Sequence, residues 1–242
     1  MKQMLIPVAA LLLSDALLLI GHGMLLTFLP MAAESAGFND TQVALTGSAY
    51  FIGFVTGCLV TPYIVKRVGH IRSFAVLATS YSAVVLIFPV LPQLLGWLLL
   101  RFLNERSTAE TRGTILSIYT VINLLMITVG QQMLNLAEAG SAQLFSMAAI
   151  LLSLAIIPVS LTLALAPAPL QTVRVDLRKV WRLSHVGLGG AIISGLVTGA
   201  FWSLGPIYAR GQGLDTFQLT AFMSAVVMGG AFFQLPLGRL SD

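Results

Sequence analysis

Residues 23–66 recur at 199–242, shifted by 176 positions (Gly23 to Gly199) without a gap. Pro30 falls on Pro206, Ala33 on Ala209, Gly37 on Gly213, Gln42 on Gln218, Ser48 on Ser224 and Gly53 on Gly229. The glycine and proline matches weigh most, because those residues set backbone geometry and the distance at which helices approach. The polar interval between two apolar runs repeats as well, residues 34–42 against 210–218, so a break in the chain near Pro30 and Pro206 is expected twice. In an apolar chain, a copied unit of this length is the mark of a membrane transporter built from two halves.

The medium follows from composition. The chain is 57% hydrophobic and only 9% charged, where a soluble domain carries about 25% charged residues. It lacks the polar surface to face water all round, so its solvent is lipid. The lone cysteine, Cys58, has no internal disulfide partner and sits in an apolar run, which reads as packing. The N-terminal run carries one lysine and no small-residue cleavage site, so it reads as a retained first helix.

A crossing of the hydrocarbon needs about 20 apolar residues. Runs of that kind lie at 4–31, 43–65, 73–91, 114–136, 144–166, 186–209 and 219–237. They are apolar all round and rich in glycine, which favours lipid-embedded helices over strands. With the N-terminus inside, all 13 Lys and Arg residues except Arg210 fall on one face of the membrane, and Glu34, Asp40, Glu138 and Asp215 fall on the other. That asymmetry predicts a cytoplasmic N-terminus.

One segment does not fit. The apolar stretch 93–103 reaches only about 16 Å as a helix, half a bilayer. The two repeats face the same way, so an even number of crossings must separate their starts, and a crossing is required here. The segment is expected to have lost roughly 10–16 residues; the alternative is a short, distorted or re-entrant piece. The organisation expected is an N-terminal transmembrane half at 1–166, a basic cytoplasmic loop at 167–185, and the start of a C-terminal half at 186–242.

Ionisable groups inside a membrane are costly and carry a functional default. Asp15 lies near the middle of the first run, and His22, seven residues on, shares its face. Together they form a candidate proton site; the bland reading is a neutral Asp and a satisfied His. Thr120, Asn123, Gln131 and Asn135 make a polar stripe in the run at 114–136, suited to a polar solute or to bonds between helices. Ser194, Thr198 and Trp202 form a drifting stripe in the run at 186–209. Three histidines without ligand spacing make no zinc site, and no phosphate-cradling loop, catalytic triad or nucleic-acid module is present.

Gly238-Arg239-Leu240-Ser241-Asp242 resembles the start of the G-x-L-x-D-R-x-G-R-R signature of the major facilitator superfamily. The first copy is degenerate: Pro62 stands for the Gly and Lys66 for the Asp, while Gly57, Arg67, Gly69 and Arg72 remain. Asn104-Glu105-Arg106 and Arg112-Gly113, with Trp97 and Arg101-Phe102 before them, resemble the flanks of the fourth helix in the YcaD-like branch of that family. The resemblance covers the whole chain. It implies an all-α polytopic bundle holding about eight of twelve helices, the fourth shortened and missing a Glu usual near its end.

It also implies secondary transport of a small solute by alternating access, with protons as a candidate coupling ion. Gly57, Lys66, Arg67, Gly69, Arg72, Gly238, Arg239 and Asp242 are then latch candidates. An acidic residue at a helix end can hold a helix N-terminus or an arginine, which Asp242 can do and Lys66 cannot. Lys66, Arg67 and Arg72 also read as simple membrane anchors. No enzyme activity, cofactor, metal or nucleic-acid partner is expected, and a monomer in a bacterial-type inner membrane is. Half a cavity would leave polar groups facing lipid, so the 242-residue chain is expected not to transport alone. A non-transporting membrane scaffold or receptor, or a decayed partial product, is the alternative.

Overall fold

The computed structural model describes the backbone of residues 2–90, 113–138, 141–161, 181–182 and 184–241, and the side chains from 9 to 234 within those ranges except 113–119. The expected short crossing at 93–103, most of the 167–185 loop and Asp242 lie outside the described residues. Within them the order is α1 (Lys2–Ser35), α2 (Asp40–Val68), α3 (His70–Ile87) with a 3-10 turn Phe88–Val90, then α4 (Gly113–Gln132) with a 3-10 turn Met133–Leu136. There follow α5 (Ala142–Leu154), α6 (Ile156–Ser160), α7 (His185–Gly211) and α8 (Thr216–Ser241). No strand occurs among the described residues, and six helices are long and apolar enough to cross a membrane.

The helices extend beyond the apolar runs at most ends, because polar caps prolong them. The expected break at Pro30 and Pro206 does not occur there. Both prolines are buried inside continuous helices, and the chain turns instead at Gly37 and Gly213. Packed neighbours let a membrane helix absorb a proline, whereas a positive φ ends it.

That turn is built twice from the same bonds. Gly37 takes φ 88° and Gly213 φ 79°. Phe38 N–H donates to Ala33 C=O and Gly37 N–H to Glu34 C=O; their repeat equivalents Leu214 to Ala209 and Gly213 to Arg210 do the same. This is the paired-carbonyl helix end that a left-handed glycine permits. A capping box then starts the next helix: Asn39 and Gln42 exchange backbone-to-side-chain bonds of 2.9 Å each, and Asp215 and Gln218 do so at 3.1 and 2.7 Å. The copied sequence therefore encodes a copied helical hairpin, bond for bond.

The core gathers around α1, buried continuously from Gly23 to Ala33. Phe28 stacks edge-on against Phe145 of α5 at 4.6 Å between centroids. Gly23 and Gly130 let α1 and α4 touch backbone to backbone, the close approach that small residues allow in a membrane. The span at 142–160 is interrupted by a turn at Ala155. Pro158 explains it: its ring excludes the carbonyl four residues back. Cys58, expected as packing, is exposed on α2.

Candidate functional site

Two polar groups stand out, and each joins helices far apart in sequence. The first surrounds His22 on α1. Its Nδ1 lies 2.9 Å from the Tyr81 hydroxyl on α3, and its Nε2 lies 3.4 Å from the Tyr50 hydroxyl on α2. A neutral imidazole has one donor and one acceptor nitrogen, so one phenol donates to it and the other accepts. Asp15 lies about two turns away on the same helix, half-buried.

The second group joins α4 and its 3-10 extension to α8. Gln131 is fully buried; its Nε2 donates to Thr27 Oγ1 at 3.3 Å and its Oε1 accepts from Ser224 Oγ at 3.1 Å. Gln132 Nε2 donates to Ser224 Oγ at 2.8 Å and to the Thr220 carbonyl at 3.3 Å. Asn135 Nδ2 donates to Thr220 Oγ1 at 3.0 Å. Nearby, Arg210 Nη1 meets Glu34 Oε2 at 3.3 Å and Ser35 Oγ at 3.4 Å.

The expected polar stripe of α4 is thus divided. Gln131 and Asn135 are engaged in this seam, and Thr120 and Asn123 are half-buried lower on the helix. The Asn123 Oδ1 is buried and accepts no hydrogen bond from the described protein. On α7, Ser194 and Thr198 are exposed, while Trp202 packs beside Met31, Leu219 and Met223. Lys66 and Arg67 occupy the last turn of α2, suited to its negative dipole end; Gly69 ends it at φ 86°, and Arg72 is exposed at the start of α3. Gly57 is buried on α2. Gly238 and Arg239 belong to α8, with their side chains outside the described set. Among the described residues no three His, Cys, Asp or Glu side chains gather as a metal site.

Sequence reasoning missed Tyr81, Thr27, Gln132 and Thr220 as partners. The Gln131-Gln132 doublet and the i, i+4 hydroxyls Thr220 and Ser224 were the available signals.

Close to their turns the two hairpins exchange equivalent contacts. Met31 of the first enters the cluster of Ala209, Leu219 and Met223, and its equivalent Ile207 packs on the cluster around α1. Such reciprocal contacts are those of a two-fold interface. The molecule is a multi-pass membrane helix bundle, with six candidate spans among the described residues.

No protein-family model matches the chain. It is 26% identical over 254 residues to the uncharacterized MFS-type transporter YcaD of Escherichia fergusonii, with 98% of this chain and 66% of that protein covered. The corresponding proteins of Salmonella arizonae and Salmonella heidelberg are 25% and 26% identical, with the same coverage. The resemblance to YcaD-like transporters of the major facilitator superfamily, expected from the residues, is thus found along nearly the whole chain, and its fold is an all-α bundle of that type. The chain spans about two thirds of the length of these curated relatives, 66%.

Proposed function

We propose that this chain is part of a secondary transporter that moves a small solute across a membrane by alternating access. The observation that carries the reading is the contrast between bonds within and between the repeats. Each hairpin is held by an equivalent set of backbone and capping bonds, whereas the repeats meet through side chains, Arg210 on Glu34 and Ser35, with Gly47 packed on Ser203 and Gly199 on Phe51. Rigid units joined by a separable seam are what rocking of two halves requires.

In this reading His22, Tyr50, Tyr81 and Asp15 form a proton route, and Thr120, Asn123, Ser194, Thr198 and Trp202 face the solute. Lys66, Arg67, Gly69 and Arg72, with residues 238–242, latch the opposite end. The charge distribution supports a cytoplasmic N-terminus and a bacterial-type inner membrane. The whole transporter works as a monomer in lipid.

The test is flux. Proteoliposomes carrying the chain, and others carrying a chimera with the part of the Escherichia fergusonii relative that the chain does not cover, are loaded with a mixture of small polar solutes and followed by mass spectrometry. Movement of a solute above protein-free vesicles is expected with the chimera and not with the chain alone; none with the chimera removes the reading. Asp15→Asn is expected to abolish the pH dependence of that flux.

A further inference from the structure

We infer that the Glu34/Arg210 end of the molecule is a two-layer gate, an ionic lock between the repeats beside an uncharged amide–hydroxyl seam between α4 and α8. The inference rests on the transport reading and assigns it specific residues.

Glu34 and Arg210 are repeat equivalents, separated by 176 residues, and they are in contact at 3.3 Å. Only positions on the quasi-two-fold axis meet their own equivalents. A copied unit left unchanged would place Glu on Glu or Arg on Arg there, and like charges in contact repel. The two copies instead carry opposite charges at this one meeting point. The Arg210 side chain is 30% and the Glu34 side chain 38% exposed, so water competes for the bond, and an exposed ion pair of this kind is weak and reversible. A latch that must open on each cycle needs that weakness.

Beside the lock, Gln131, Gln132 and Asn135 meet Thr220 and Ser224. Gln131 and Thr220 are fully buried and Ser224 is nearly so. All five groups are neutral donor–acceptor side chains, so parting them strands no charge, and water can take each vacated bond. A third contact closes the side: a Cβ at Gly47 of α2 would overlap Ser203 of α7. Residue 47 must therefore be glycine for the repeats to meet there.

The test measures opening without solute. In a Cys58→Ser background, Ala209→Cys places a thiol at a position 2% exposed beside Met31. A membrane-impermeant maleimide is applied to proteoliposomes from either side and the labelling rate is read. Labelling is expected to be slow in the parent and about two- to fivefold faster in Glu34→Gln and in Arg210→Gln. It should be faster still in Gly47→Leu, which wedges the seam. The swap Glu34→Arg with Arg210→Glu is expected to return labelling to the parent rate, which a general folding defect would not do. Single variants that label like the parent, or a swap that labels as fast as the singles, would overturn the gate. The gate and the transport reading fail separately: a lock that responds as described in a chain moving no solute leaves the gate standing.

Discussion

At Gly23 an added Cβ would lie 2.6 Å from the Cα of Ile127, against backbone that cannot step aside. Its repeat equivalent Gly199 faces only the edge of the Phe51 ring at 3.2 Å, and a ring can rotate by a few tenths of an ångström. Gly23→Ala is therefore expected to destabilise the bundle by about 1–3 kcal/mol, read as a lower unfolding midpoint in detergent, and Gly199→Ala by well under half of that. His22 offers a second case at this scale. Tyr81→Phe leaves its Nδ1 without the 2.9 Å partner, at a cost of about 0.5–1.5 kcal/mol. Tyr50→Phe removes a longer 3.4 Å contact and should cost less in the same unfolding measurement.

The hairpin turn is the element that the sequence makes most legible. Gly37, Asn39 and Gln42 are local signals: a left-handed glycine, a cap and its reciprocal amide lie within six residues, and all reappear in the second copy as Gly213, Asp215 and Gln218. Gly37→Ala and Gly213→Ala meet no atoms within 4 Å, so their cost is backbone conformation alone, about 1 kcal/mol each. Equal midpoint shifts for the two variants are the expected result. The helix ends were less legible, because hydropathy stops where the apolar run stops while caps carry the helix further. The proline positions misled for a related reason. Pro30 and Pro206 break an isolated helix, but here neighbouring helices bury them and the turn waits for a residue that tolerates positive φ. The partners of His22 and Gln131 could not be read at all: Tyr81 is 59 residues from His22 and Ser224 is 93 from Gln131, and periodicity reports a helix's face without naming what the face meets.

For the whole molecule, the single exception to the charge asymmetry becomes the clue to its assembly. The charge pattern of the sequence expects Arg210 as the one basic residue on the acidic side, and its guanidinium meets Glu34, the acidic residue at the same place in the other copy. An isolated arginine there would weaken the orientation signal that the remaining Lys and Arg residues supply; paired on the axis, it joins the copies instead. Parallel copies make a demand on topology that can be measured. If α1 and α7 run the same way, the ends of α2 and α8 must emerge on one side of the membrane. Lys66 and Arg239 are repeat-related neighbours of those ends, since Arg239 aligns with Tyr63 one turn away. With Cys58→Ser as background, Lys66→Cys and Arg239→Cys are expected to react with an impermeant thiol reagent from the same face of sealed vesicles, and Asn39→Cys from the other. Protection of one of the first pair on the face where the other reacts would mean antiparallel copies. The axis through Glu34 and Arg210 would then lie in the membrane plane rather than along its normal, and two halves rocking about a shared seam would no longer describe this chain.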